Sequence, residues 1–455
     1  MTMSPPAEAA LMADADARAA AYLAGVATRR VFPEATAIAN LSLFEEALPE
    51  TGCTPPATLA LLDEIGSPAT TASNGPNYFG FVIGASLPAS AAAERMMIAW
   101  DQCASSFNSS PVAATLERVT GRWVLDVLDL PRGSAVGFGT SATACGLSCI
   151  VAARRALLRR AGWDMDVDGL SGAPMIRVIV PETVHVTLLK ALRLLGFGMR
   201  HILHAPVDAA GRVDPDRLPA LDDRTILCLQ AGEVNTGEFD PFAVVIPPAR
   251  AAGAWVHVDG AFGLWARASQ AKRHLTEGIE AANSWTTDGH KWLNTPYDCA
   301  MAICRDPEAL AQAMNCDAAY SAASADAQRN LTVEFSRRAR GVPLWAALRT
   351  LGRDGVSAMV ERHCAQAARI AEGLRAIGLA VLNRPVLNQV LFRGRSEVET
   401  AAIRSGVERS GRAWFGETIW QGQPALRISV SSWRTGDYDI ERLTETIRDE
   451  LDSLA

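Results

Sequence analysis

An aspartate and a lysine carry the first chemical signal in this chain. Trp255-Val-His-Val-Asp-Gly-Ala-Phe-Gly263 is an apolar, β-branched run whose strand part ends on Asp259, and 32 residues further on Thr287-Asp-Gly-His-Lys-Trp-Leu293 ends a second run with Lys291. If both runs are strands of one parallel sheet, both groups stand on its carboxyl edge, where open α/β sheets do their ligand chemistry. There a lysine amine can condense with an aldehyde, and a carboxylate can keep a ring nitrogen protonated so that the ring withdraws electrons from a developing carbanion. An enzyme built around pyridoxal 5'-phosphate (PLP) needs these two protein groups.

A phosphate asks for backbone N–H groups at a helix N-terminus and for small hydroxyl side chains. Gly139-Thr-Ser-Ala-Thr-Ala-Cys-Gly146 follows a short strand pattern and opens a long helical one through Arg154, so it supplies both. The same loop reads Gly137-x-Gly-x-x-Ala142, a dinucleotide-like spacing, but a dinucleotide site has no use for Lys291. His185 lies in Pro181-Glu-Thr-Val-His-Val-Thr187, at the start of a helix after another strand pattern. The seven histidines are scattered, with no HxxxH pair and no Cys/His cluster, so no metal site is expected.

The elements that must position these groups follow from the patterning. Short β-branched runs (135–138, 176–180, 225–229, 254–258, 284–287, 300–304) alternate with long amphipathic stretches, the mark of βαβ units around a buried, mostly parallel sheet. Before them come an Ala-rich helical arm and two helical patterns between 85 and 130. After about 356 the order changes to helix, two strands, helix, strand and a final helix from Tyr438. The expected organisation is α/β: an N-terminal helical arm over 1–80, a large domain with a seven-stranded type of sheet over 81–355, and a smaller C-terminal α/β domain over 356–455.

The chain has 455 residues, 49% hydrophobic and 20% charged, enough to bury a sizeable core without staples. Its net charge of -7 argues against nucleic acid or an anionic membrane as the main partner. Nine cysteines without a CxxC pair read as reduced core thiols, and no run of about 18 apolar residues or basic leader is present. A cytoplasmic protein that acts on small molecules is expected.

On the Asp259 and Lys291 motifs, in that order and at that spacing, the chain resembles the group II decarboxylases of the PLP fold-type-I superfamily, the aromatic-L-amino-acid and glutamate decarboxylase-like enzymes. The resemblance runs from about Tyr78 to the C-terminus. It implies Lys291 as the Schiff-base lysine, Asp259 as the partner of the pyridine nitrogen and His185 as a ring stacked on the cofactor. Ala142 and Thr143 align with the phosphate cup, Asp288 and His290 flank the lysine, and Asn235 and Thr236 sit where the family contacts the cofactor's face or its phenolic oxygen. Arg427 corresponds to a small-domain arginine that grips a substrate carboxylate. Phe81 and Phe107 fall in segments that resemble the substrate pocket near a dimer seam, and the lack of a basic residue there points to an uncharged or aromatic side chain. The family is homodimeric, with the arm packed across the partner.

The chain departs from that family at one place. Group II decarboxylases commonly carry a tyrosine on a loop shortly before an arginine pair, and it returns a proton to the carbon that has lost CO2. The pair here is Arg337-Arg338, and residues 324–336 contain no tyrosine: Gln328 or Leu331 stands in its place, and the nearest phenol is Tyr320. Either Tyr320 or His185 takes over the proton transfer, or the reaction takes another course. The resemblance therefore implies α-decarboxylation of an L-amino acid, with aldol-type C–C cleavage, transamination or aldehyde-forming oxidative decarboxylation as alternatives on the same scaffold. A PLP-binding regulatory protein is the alternative outside enzymology.

Overall fold

The computed structural model describes residues 4–315 and 327–454. Its large sheet has seven strands: β1 (Ala135–Gly139), β2 (Arg177–Pro181), β3 (Ile202–Ala205), β4 (Thr225–Gln230), β5 (Trp255–Asp259), β6 (Ser284–Asp288) and β7 (Ala300–Cys304). They lie in the order β1-β7-β6-β5-β4-β2-β3. From β6 through β5, β4 and β2 to β3 every pairing is parallel, whereas β7 runs antiparallel to both β6 and β1. β3 was not legible in the sequence, because a four-residue edge strand with Leu203 and His204 exposed leaves no long apolar run.

The central strands are apolar on both faces because both are covered. Leu227, Leu229, Val256 and Val258 point into one core layer with Phe242, Val245, Leu344 and Ala347. Ile226, Cys228, Trp255 and Val178 point into the other with Ile150, Ala153 and Leu157, which belong to the helix Ala142–Arg160. That helix starts directly behind β1, with the Ser141 side chain capping the Ala144 N–H at 3.4 Å.

The C-terminal unit is an antiparallel sheet of β8 (Ala380–Val381), β9 (Gln389–Arg393), β10 (Gly416–Trp420) and β11 (Gln423–Ser429), ordered β10-β11-β9-β8. Helices Glu397–Ser410 and Asp437–Leu454 cover it, with Ile403, Val407, Ile440 and Leu443 packed on Phe392, Leu426 and Ile428. A helix from Gly341 to Ala376, interrupted at Gly352 (φ 62°), begins in the large layer at Leu344 and ends in the small one at Ile370 and Leu374. The helical arm Pro5–Gly25 buries none of its residues. Behind it, residues 77–87 thread between the two sheets: Phe79 N–H donates to Trp414 O, Ser429 N–H to Phe79 O and Leu87 N–H to Asn294 O.

Candidate active site

Asp259 closes β5, opposite Thr286 on β6. Its Oδ1 accepts the Ala261 N–H at 3.1 Å, and the Thr286 hydroxyl stands 3.5 Å away. Lys291 is not on the strand itself, as its place at the end of the run suggested. β6 ends at Asp288, and the chain turns because the Gly289 and His290 N–H groups both bond to Cys299 O at the start of β7. The lysine is thus carried on the loop between β6 and β7, at the same rim as Asp259.

Around its amine the polar groups are continuous. Lys291 Nζ stands 3.3 Å from Asp288 Oδ2, and Asp288 Oδ1 accepts the Ala142 N–H at 2.8 Å, so one carboxylate joins the lysine to the start of the Ala142–Arg160 helix. His290 Nε2 lies 3.8 Å from Asp288 Oδ2, while its Nδ1 accepts the Cys299 N–H at 3.1 Å. Burial lowers the His290 pKa against the opposing pull of Asp288, so the ring is neutral at pH 7.

His185 caps the helix Val186–Leu194, where Nδ1 lies 2.7 Å from Thr187 Oγ1 and accepts the Thr187 N–H at 3.4 Å. Burial lowers its pKa, with Asp259 and Asp288 pulling up and Lys291 and Arg427 pushing down. The same charges that surround the lysine therefore also face this imidazole. The neutral ring carries its proton on Nε2, because Nδ1 is an acceptor.

Other residues singled out in the sequence have different surroundings. Asn235 and Thr236 form a turn around the buried Glu233 carboxylate, which takes both of their N–H groups at 2.7 Å. Their side chains are engaged as well: Asn235 Nδ2 donates to Glu233, its Oδ1 accepts from Thr418, and Thr236 Oγ1 donates to Ala210 O. From β11, Arg427 Nη1 donates to Val234 O in the same turn, and its buried Nε has no partner among the described residues. Phe81, at φ 52°, is exposed beside the Trp414 ring, which stacks on Tyr78 at 5.1 Å. Phe107 is exposed too, but it lines a cavity of about 1230 Å³ with Arg118, Arg329 and Phe335, and no described contact joins it to Lys291. Tyr320 lies outside the described residues.

Three site residues escaped the sequence reading. Tyr297 packs its ring on His290 at 4.2 Å and faces Asp288 and Tyr78, with burial and the Asp288 charge pushing its pKa up. Thr286 and Glu233 are the others. Thr286 was findable from the register that sets Asp259 opposite it, and Tyr297 from its place six residues after the lysine; nothing local marks Glu233.

The donor set fits PLP: an amine for the aldehyde, a strand-end carboxylate for the ring nitrogen, a flat neutral imidazole, and a helix start with the Thr143 hydroxyl for the phosphate. Asp288 is the one discordant group, since its carboxylate already takes a first-turn N–H of that helix.

A seven-stranded, mostly parallel sheet with a lysine beyond one strand and an aspartate ending its neighbour defines a PLP-dependent enzyme of fold type I. The chain belongs to the pyridoxal-dependent decarboxylase family: residues 42–394 match the pyridoxal-dependent decarboxylase conserved domain. It is therefore a PLP-dependent carboxy-lyase. It is 28% identical to tryptophan decarboxylase 1 of Oryza sativa subsp. japonica over 422 residues, 84% of this chain and 81% of that one. It is 24% identical to the phenylacetaldehyde synthase of a Rosa hybrid cultivar over 426 residues, 85% and 82% of the two chains. A crystal structure of Oryza sativa TDC with PLP and tryptamine superposes with a TM-score of 0.91 at 23% identity, covering 100% of this chain and 99% of that one.

Proposed function

We propose that the chain decarboxylates an L-amino acid with an uncharged, aromatic side chain, that it works as a homodimer, and that it does so in the cytoplasm. The observation that carries the reading is the cluster of Lys291, Asp259 and His185 on one sheet rim. When bound, PLP supplies the electron sink that stabilises negative charge on the substrate's α carbon. Lys291 would be the amine that holds it, Asp259 would keep its ring nitrogen protonated, and His185 would pack its neutral ring against it. Ala142 and Thr143 hold the phosphate, with Asp288 and His290 setting the lysine beside it. Asn235 and Thr236 would contact the cofactor's face or its phenolic oxygen, and Arg427 would offer its Nε–H, unpartnered among the described residues, to the substrate carboxylate.

An aromatic substrate is favoured by the exposed Phe81 ring beside Tyr78 and Trp414, and by residues 78–84 carrying no charge. Relatives named for tryptophan and for tyrosine or DOPA decarboxylation support the same class. Phe107 would reach a site only across a subunit seam, which the exposed Met96, Ile98 and Trp100 of helix Pro88–Trp100 support. The eight described cysteines are unpaired, in keeping with a reducing compartment. The arm, large domain and small domain, divided near 80 and 355, remain our working division. Incubation with each of the twenty amino acids and detection of products by mass spectrometry tests the substrate class; turnover confined to glutamate or other charged substrates would overturn it.

One observation favours a second outcome. Gln328, one of the two residues that could stand in the place of the family's phenol (Leu331 is the other), is buried in a short turn of helix Gln328–Asn330, and its Nε2 finds no partner among the described residues. Neither an amide nor an alkyl side chain can donate an acidic proton, so where neither His185 nor Tyr320 replaces the phenol, return of a proton to the α carbon would be slow and O2 would compete for it. Overall, the amino acid, O2 and water would then give an aldehyde, CO2, ammonia and hydrogen peroxide, with O2 as the two-electron oxidant and water as the source of the carbonyl oxygen. Phenylacetaldehyde synthases among the relatives accord with this. The amine-to-aldehyde ratio under air and under nitrogen is the measurement; stoichiometric amine at a high rate in both would exclude the second outcome.

A further inference from the structure

One buried residue gathers several of the bonds that fasten the loop carrying Lys291. Asn294 is fully buried and sits at φ 58°, a left-handed conformation that asparagine tolerates better than most residues. Its Nδ2 donates to Trp292 O at 2.7 Å and to Ser431 O at 2.8 Å, and approaches Lys291 O at 3.4 Å. Its Oδ1 accepts the Trp433 N–H at 2.7 Å. Its backbone is engaged as well, with the N–H on Lys291 O at 3.2 Å and the carbonyl accepting from Leu87 N–H at 2.8 Å.

Three stretches far apart in sequence therefore meet on one residue: Leu87 behind the arm on its backbone carbonyl, and the lysine loop and residues 431–433 after β11 on its side-chain amide. A second strut runs beside it. Trp292 Nε1 donates to His363 Nδ1 at 2.8 Å, and His363 Nε2 bonds to Ser432 O at 3.0 Å. His363 is fully buried with a pKa lowered to about 3, so it is neutral, and its two nitrogens serve as one acceptor and one donor.

We propose that Asn294 is a positioning residue for Lys291, locking the lysine loop to the small domain with the Trp292–His363–Ser432 strut as its second arm. It touches neither the amine nor Asp259, and it acts through the Lys291 and Trp292 carbonyls. The inference rests on Lys291 being the residue that holds PLP. Its logic is geometric: a site lysine must be held within a fraction of an ångström, and rigid second contacts provide that. Because Ser431 and Trp433 follow β11, a shift of that segment would be passed to the lysine loop.

The test uses the PLP-loaded full chain. Asn294→Gly keeps the positive φ and deletes the side chain; Trp292→Phe keeps the ring and deletes only the N–H. Three quantities are read: the PLP dissociation constant by fluorescence titration, the pH midpoint of the lysine-bound cofactor's absorbance, and kcat against KM. Asn294→Gly is expected to weaken PLP about tenfold and to move the absorbance midpoint by about half a unit or more. It should lower kcat more than it raises KM. Trp292→Phe should shift the same quantities less. Wild-type values for all three in a folded Asn294→Gly protein would overturn the proposal. If that variant does not fold, wild-type values in Trp292→Phe would overturn it equally. A wild-type chain that takes up no PLP at Lys291 would instead refute the functional reading, which separates the two failures.

Discussion

The proposed roles of Lys291 and Asp259 differ, and so do the experiments that check them. Reduction of the PLP-loaded protein with borohydride, followed by peptide mapping, should place the label on Lys291, and a label on any other lysine would discard the assignment. Asp259→Ala should still bind some cofactor, because the amine and the helix start remain, yet lose turnover by about a hundredfold or more, since the lost charge acts on the transition state. Unchanged turnover would remove Asp259 from the mechanism. Both residues were legible in the sequence because each lies in a short motif next to a strand pattern. Asn294 was not, since its role depends on residues 431–433, and no local pattern announces a partner so far along the chain. Asn235 and Thr236 were singled out only through the family resemblance, and the buried Glu233 carboxylate that organises their turn was hidden, because only the fold removes that carboxylate from water.

At the level of elements, the sequence patterning captured the strands that are buried on both faces and the helices that cover them. It missed β3 and β10, which are short or lie at an edge, where the exposed side carries ordinary polar and apolar residues alike. It read the sheet as mostly parallel, as it is, but nothing in the patterning marked β7 as the strand that reverses. The packing of elements around the lysine loop predicts a sharp sensitivity at Gly84. A Cβ there would overlap the Lys291 carbonyl and crowd the Asn294 amide at 2.7 Å. Neither neighbour can yield, since the first is backbone and the second is fixed by four bonds. Gly84→Ala should therefore destabilise the fold by about 1–3 kcal/mol as overpacking does, and should weaken PLP binding because it pushes on the lysine's own peptide. A melting temperature and PLP affinity equal to those of the wild type would show that the segment has room to move.

For the whole molecule, burial of histidines sets the response to acid. His257 is held at about 4 and His363 at about 3, below the ordinary value of 6.5. The unfolded chain takes up protons on both from about pH 6.5 downward, whereas the fold refuses them until pH falls to those lower values, so stability is lost through that window. Asp240, raised to about 7 by burial, works in the opposite direction between about pH 4 and 7, because the fold keeps a proton that the unfolded chain has released. His185 and His290, lowered by burial as well, add to the loss, and Glu233 and Glu238, raised by burial, oppose it with Asp240, so four imidazoles against three carboxyls leave a net loss on acidification. The melting temperature should fall steadily between about pH 6.5 and 4.5, and a flat profile would contradict the burial of these rings. Light scattering should give twice the 48.5 kDa chain mass, and a fully active monomer would refute the homodimer.

The reversal of β7 has a consequence for how the chain assembles its chemistry. A lysine placed after an ordinary parallel strand is followed by a crossover, and the next strand begins at the far rim of the sheet. Here the loop from Gly289 to Cys299 leaves β6 and enters β7 at the same rim, as in a wide hairpin. The pairing that frames the amine is thus the most local in the large sheet, with a small loop-closure cost, whereas β1 must find β7 across more than a third of the chain. The lysine loop can take shape before the sheet is complete. The helix start behind β1, which brings the Ala142 N–H to Asp288, joins it only when the most distant strand has docked.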